Sequence, residues 1–231
     1  MKEEIEFLKK SQKEEVFERL FQDSQPSFNF FLLLSLSTVI ITLGLLINNP
    51  SIIIGGMLIA PMLWPILSLG MGVVVSDLKL IKNSAWVIFK ASLLILVIAT
   101  LISIMFLEAR LNPEIVSRTD YALVYFFVAF ISGIGASYAF SRSQPFTILA
   151  GVAISVALIP PLCVAGIGLS MLNREILMRG LGVFFLTFLG ILFGSLIVFS
   201  ILDFHEIKRK IKKTLEKAEK ENNKNKRKKV V

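Results

Sequence analysis

Apolar residues fill six long stretches of the chain, and short polar segments separate them. A helix rises about 1.5 Å per residue and the hydrocarbon core of a bilayer is about 30 Å thick, so about 20 apolar residues cross it. Spans 1 to 6 are predicted at residues 28–47, 51–75, 85–107, 121–140, 146–169 and 176–202. The alternating pattern of a membrane β-barrel is missing. We therefore predict an all-α polytopic membrane protein, since a helix satisfies its own backbone hydrogen bonds in lipid.

The spans divide the chain into five segments. Residues 1–27 are highly charged, and their scattered apolar residues favour an amphipathic helix near the membrane surface. A first three-helix unit at 28–107, a connecting loop at 108–120, a second three-helix unit at 121–202 and a basic tail at 203–231 follow.

Spans 2 and 5 match each other when the chain is shifted by 96 residues. The shift superposes Gly55 on Gly151, Pro65 on Pro161, Gly70 on Gly166 and Gly72 on Gly168. It also lays span 1 near span 4 and span 3 on span 6, which favours a true repeat over the general abundance of Gly and Pro in membrane helices. Since three is odd, two tandem three-span units must have opposite orientations. Inverted repeats of this kind are typical of secondary transporters.

Prolines lie well inside both repeated spans. At the rise of a helix, Pro61 is about 15 Å into span 2 and Pro160 about 21 Å into span 5. Each proline removes an amide donor and clashes with a preceding carbonyl, so we predict that both spans are kinked or broken. Such a break can build a site or a gate, but kinked helices rich in small residues also simply pack well. The candidate residues of a solute path surround the two breaks: Gly55, Gly56, Pro61, Trp64, Pro65, Ser68, Gly151, Ser155, Pro160, Pro161 and Gly166.

Charge is concentrated at the two ends of the chain. With six spans, 21 Lys and Arg residues lie on the side of the termini and 4 on the opposite side. The positive-inside rule then predicts that both termini are cytoplasmic, in a multi-pass protein of the inner or plasma membrane. The basic tail is either a solvated extension of span 6 or a helix drawn to anionic lipid headgroups. We expect the lipid bilayer and no nucleic acid as its partner, while assembly into a homo-oligomer stays open.

The spans contain little reactive chemistry. The chain has a single cysteine, Cys163, and a single histidine, His205, which cannot build a structural zinc site within one chain. No acid/base pair or phosphate-binding loop lies in the spans, so we expect no catalytic residues, no metal, no cofactor and no enzyme activity. The absence of a carboxylate deep in any predicted span also argues against a proton pump.

Around the two proline-containing spans the chain resembles a prokaryotic membrane family, domain of unknown function 389. The resemblance rests on NPSIIIGGMLIAPMLWPI at Asn49–Ile66 and GVAISVALIPPL at Gly151–Leu162, and it covers about residues 30–200. Trp64 stands where that family often has a small residue, and it would narrow a passage at this point. The resemblance implies a multi-span hydrophobic protein of bacteria or archaea, and it implies no particular activity.

Two functional hypotheses follow from these patterns. The first is a transporter or channel-like protein that moves a small solute or ion between spans 2 and 5. The alternative is a non-transporting membrane scaffold whose charged cytoplasmic ends bind partners or anionic lipid. Deletion of the tail distinguishes them, because only the scaffold depends on it.

Overall fold

The computed structural model describes residues 20, 26–106, 112–117, 122–141 and 158–204. Every regular element in these ranges is an α-helix. The helices are α1 (Phe28–Leu46), α2 (Pro50–Ile59), α3 (Leu63–Val75), α4 (Leu78–Met105), α5 (Pro113–Ser117), α6 (Ala122–Ser141), α7 (Ile159–Ser170) and α8 (Arg174–Ile201). The predicted all-helical class is therefore confirmed. The N-terminal segment, most of the connecting loop and the basic tail lie outside the described residues.

Four helices are long and apolar enough to cross a membrane, namely α1, α4, α6 and α8. The pair α2 and α3 passes the same test together, although its two axes are bent by 52° at the break between them. The described residues thus account for four or five of the six predicted spans. Helix α7 is apolar but only 12 residues long, and the residues before it, 142–157, lie outside the described part of the chain.

Three helical hairpins share one construction. In each, a glycine in the last turn of the first helix is followed four residues later by a residue with positive φ, and five residues later by an Asn or Asp N-cap. The positive-φ residues are Asn48, Ser76 and Leu172, and the caps are Asn49, Asp77 and Asn173. The backbone amide of each cap residue donates the Schellman hydrogen bond to the glycine carbonyl of the first helix, and its side-chain oxygen accepts hydrogen bonds from two backbone amides of the next helix.

The glycines explain why these hairpins are tight. A Cβ on Gly72 would lie 3.2 Å from the amide nitrogen of Ile81, and one on Gly168 would lie 2.6 Å from that of Leu177. Glycine therefore lets the second helix start directly against the first. The cap also moves a predicted boundary: α4 begins at Leu78, seven residues before the predicted start of span 3, because the Asp77 carboxylate already caps the helix there.

Four helices form the centre of the described structure. Helices α3 and α4 pack as one hairpin and α7 and α8 as another; α4 also packs against α7, and α8 against α3. Helix α6 packs along α8, and α1 packs against α2, α4 and α7. The short helix α5 covers the α1–α2 turn, where the Asn112 side chain donates to the Leu45 carbonyl over 2.7 Å.

Candidate functional site

The break between α2 and α3 has a local cause in the sequence. Ala60 precedes Pro61 and has φ −73° and ψ 122°, an extended conformation. A residue before proline is pushed out of the helical region by contact with the proline ring. Helix α2 therefore ends at Ile59, and α3 starts three residues after Ala60, at Leu63. The predicted interruption of span 2 is confirmed at this position.

Helix α3 starts inside the apolar body. Met62, its N-cap, is 2% exposed and provides no side-chain hydrogen bond to the helix, and Leu63 is 6% exposed. The first four amides of a helix have no partner within it, and leaving them unpaired in an apolar environment is unfavourable. Pro65 lies in this first turn and lacks one of these amides, which reduces the number that must find a partner.

Helix α7 starts in the same way. Leu158 is buried and gives no side-chain cap, and Pro160 and Pro161 occupy the second and third positions of the helix. These prolines were predicted to kink or unwind span 5, and the structure places them in a helical first turn, where proline is well tolerated. Two of the four amides that α7 would otherwise leave unpaired are thereby absent.

The two half-helices correspond at the predicted shift of 96 residues. Helices α3 and α7 begin at Leu63 and Ile159, and each is followed by a helix of 28 residues. Their cross-contacts correspond as well. A Cβ on Gly70 would contact Ser195 and Leu192 of α8, and one on Gly166 would lie 2.7 Å from Ala99 of α4 and 3.0 Å from the Leu96 carbonyl. Ala99 and Leu96 are the positions that match Ser195 and Leu192.

Hydroxyls are the main polar groups buried between these helices. The Ser84 side chain donates to Ser68 Oγ over 3.0 Å, and the Ser37 side chain of α1 donates to the Gly56 carbonyl near the end of α2 over 2.8 Å. The buried polar side chains of the described residues are all Ser or Thr. No cluster of three His, Cys, Asp or Glu side chains that could hold a metal ion occurs in the ranges described.

Comparison with known protein families matches residues 57–193 to a single family model, "Domain of unknown function (DUF389)". This match covers more than half of the chain and includes α3, α4, α6 and α7. The chain belongs to the DUF389 family. The resemblance that the two proline-containing segments indicated is thus confirmed.

A curated relative is similar over much of the DUF389 chain. It is "Uncharacterized protein MJ0678" of Methanocaldococcus jannaschii, which is 31% identical over 170 residues. The alignment covers 73% of this chain and 52% of the relative, so the chain spans about half the length of that protein. The comparison with solved structures gives no match.

The predicted path residues of this DUF389 chain divide into four groups. Pro65, Ser68, Pro160, Pro161 and Gly166 are buried, as is Gly56, whereas Pro61 and Trp64 are partly buried beside the break. Gly55 is exposed on the outside of α2, and a Cβ there would have no neighbour within 4 Å. Gly151 and Ser155 lie outside the described residues. Helices α3 and α7 do not pack face to face, because each packs against the long helix of the other hairpin.

The structure adds a buried polar seam on α1 that the sequence had not favoured. Ser37, Thr38 and Thr42 are fully buried, and the side chain of Thr42 lies beside that of Cys163 on α7. Thr38 and Thr42 also donate to carbonyls one turn earlier in α1. The four-residue spacing of the two threonines was the available signal, since it places both on one face of a helix. The seam connects the α1–α2 hairpin to α7.

Proposed function

We propose that this DUF389 protein is a membrane transporter or channel-like protein built from two inverted three-helix repeats. A small solute or ion moves past the break in α2–α3 and the start of α7. The observation that carries the proposal is the pair of buried, uncapped helix starts at Leu63 and Ile159, 96 residues apart. Interrupted helices within an apolar body are the feature around which secondary transporters build their binding sites.

The directions of the helices support an inverted relation. Thr100 donates to the Gly166 carbonyl over 3.1 Å, and the Ser103 and Ser170 hydroxyls are hydrogen-bonded over 2.6 Å. Both residue numbers increase together, so α4 and α7 run in the same direction along this contact. Helices α7 and α8 form an antiparallel hairpin. Helix α8 therefore runs opposite to α4, its equivalent in the repeat, as two inverted units require.

The chemistry around the path favours a small solute that hydroxyls and backbone carbonyls can bind. Ser68 of α3 and Ser84 of α4 are hydrogen-bonded to each other in the contact between these helices. Ser37, Thr38 and Thr42 of α1 are buried on the side of α1 that faces α2 and α7. A hydroxyl that donates its proton to a carbonyl keeps lone pairs that can accept a hydrogen bond or contact a cation. A strongly charged organic solute would need a buried counter-charge, and the buried polar side chains described here are Ser and Thr alone.

Transport is tested with the purified full chain in proteoliposomes, using glycerol, urea and radioactive sodium as probes. Replacing Pro61 by Ala frees Ala60 from its extended conformation, so that α2 and α3 can join into one helix. We expect Pro61→Ala to lower the flux of the transported probe about fivefold or more. A change of about 1 kcal/mol in the free-energy difference between the broken and the continuous helix is enough for a fivefold effect. Pro160→Ala should also lower flux.

Pro50→Ala is the matched control for these variants. Pro50 is the exposed first residue of α2 and lies away from the break. It should therefore leave flux unchanged. Flux that equals that of empty liposomes for every probe, or equal flux in wild type and both break variants, would contradict the proposal.

The remaining parts of the proposal concern topology and partners. Six crossings would put both termini on the cytoplasmic side of the cell membrane. There the tail, residues 203–231, carries an excess of Lys and Arg that would be attracted to anionic lipid headgroups. The protein would need no cofactor and would perform no catalysis.

A further inference from the structure

The rings of Trp64 and Phe140 join the break in α2–α3 to α6. Trp64 is the second residue of α3, immediately after the break, and Phe140 lies in the last turn of α6. Their ring centroids are 5.5 Å apart and their planes are inclined by 53°, within the range of attractive aromatic pairs. Phe140 is only 6% exposed and Trp64 is partly buried.

This aromatic pair joins two helices that share no extensive interface. Helices α3 and α6 otherwise share at most marginal contact. Helix α6 is held by α8, where a Cβ on Gly133 would lie 2.6 Å from the Ile191 carbonyl, and α3 is held by α4 through Ser68 and Ser84. The two rings can therefore separate without disturbing either of these interfaces.

The pair exists in one half of the repeat only. The shift of 96 residues relates Trp64 to Pro160 and Phe140 to Gly44, so the equivalent positions carry no aromatic ring. Gly44 instead allows α2 to approach α1, because a Cβ there would lie 2.9 Å from the Ile53 side chain. An aromatic contact on one side alone favours one of the two arrangements that two inverted units can exchange.

We propose that Trp64 and Phe140 form a latch that holds the start of α3 against the end of α6 and keeps the break in α2–α3 closed. The inference rests on the proposed transport function, in which opening at this break exposes the path. Removing one ring should lower the ratio of closed to open protein roughly two- to tenfold. This is the effect expected when the attraction between two aromatic rings, beyond the burial of their surface, is lost.

Tryptophan fluorescence tests the latch directly. The chain has two tryptophans, and Trp86 on α4 is replaced by Phe so that Trp64 is the single emitter. In this background, Phe140→Leu keeps an apolar side chain but removes the ring. Acrylamide, a neutral aqueous quencher, should then quench Trp64 more strongly than in the parent protein, and Phe140→Tyr should restore the parent's quenching.

Phe126→Leu is the matched control, because Phe126 meets Phe127 edge to face and stacks on Phe130 within α6 itself. It should not change the quenching of Trp64. Equal quenching in the Phe140→Leu, Phe126→Leu and parent proteins, with all three helical and monodisperse, would overturn the latch. An increase in Phe140→Leu alone supports it.

Probe flux in the same preparations separates the two proposals. If the latch opens and transport is correct, Phe140→Leu should raise both quenching and the flux of the transported probe. If quenching rises while wild type and variant carry none of the three probes, the latch stands and the transport proposal fails. If wild type transports a probe but quenching is unchanged, transport stands and the latch fails.

Discussion

The hydroxyls of Ser103 and Ser170 are hydrogen-bonded, with their oxygens 2.6 Å apart, although the residues are 67 positions apart in the chain. One turn away, Thr100 donates to the Gly166 carbonyl. The two bonds tie α4, from the first half of the chain, to α7, from the second half. They lie next to Gly166, so the close packing at this glycine is one of the contacts that join the two halves.

Gly166→Ala should destabilise the protein. The new Cβ would lie 2.7 Å from Ala99 Cβ and 3.0 Å from the Leu96 carbonyl, and a helix backbone cannot move away as a flexible side chain can. We expect a loss of about 1–3 kcal/mol in the free energy of unfolding, typical of overpacking. The measurement is reversible unfolding in mixed micelles, followed by circular dichroism.

Gly55→Ala serves as the control for that substitution. A Cβ at Gly55 meets no atom within 4 Å, and alanine is favoured over glycine inside a helix. Its stability should be equal to or above that of wild type. Equal losses in the two variants would show that α4 and α7 are not packed as described.

Ser68 and Ser84 should be energetically coupled. Their hydroxyls are 3.0 Å apart in the buried contact between α3 and α4. In a double-mutant cycle with Ser68→Ala and Ser84→Ala, we expect a coupling of about 0.6 kcal/mol, the average for hydrogen bonds between membrane helices. Ser35, which donates to the Phe31 carbonyl of its own helix, should show no coupling with Ser84. A coupling indistinguishable from zero for both pairs would contradict the bond.

Cys163 provides a native probe of whether water reaches α7. It is the single cysteine of the chain and has no exposed surface in this structure. If the break opens during transport, N-ethylmaleimide should label Cys163 slowly in native membranes, and Pro61→Ala should slow the labelling further. Pro50→Ala should label at the wild-type rate. Labelling that is equally slow in all three proteins would indicate that the seam beside Cys163 stays dry.

Removal of the basic tail distinguishes transport from the scaffold alternative. The chain is cut after Phe204, because Phe204 is buried and its ring lies 5.6 Å from that of Phe199, closing the end of α8. Flux in proteoliposomes should be retained, because the path residues remain. A cut before Phe204 should lower stability as well, so it is unsuitable for this test. Loss of flux in the protein cut after Phe204, with folding intact, would contradict this prediction and show that transport depends on the tail.

The α3–α4 and α7–α8 hairpins were the most predictable parts of the fold. Their periodic apolar spans, their glycines and the Asp77 and Asn173 caps are local signals, and each acts within one or two helical turns. The sequence also located the break at Pro61, since the effect of a proline on the preceding residue depends on no other part of the chain. The early start of α4 was missed because the spans were placed by apolar length alone, whereas the Asp77 cap lets the helix begin with a polar turn that contains Lys79 and Lys82.

Other features depended on contacts between distant residues. The sequence named Ser68 but could not pair it with Ser84, and it gave no reason to connect Thr42 with Cys163 or Trp64 with Phe140. Gly55 and Gly56 are adjacent and equally suggestive in the sequence, yet only Gly56 faces another helix. Which side of a helix is buried against protein rather than exposed toward lipid cannot be read from apolarity, because both environments favour apolar side chains.

By itself, the sequence determined that the chain is helical and suited to a membrane and that one predicted span breaks at Pro61. Apolar length and the steric effect of proline are properties of the chain alone. The tertiary structure decided that α3 and α7 are kept apart and that each packs on the long helix of the other half. It also decided that the rings of Trp64 and Phe140 meet beside the break in α2–α3. These arrangements depend on close packing at Gly70 and Gly166, where the fit of two distant surfaces selects the neighbour.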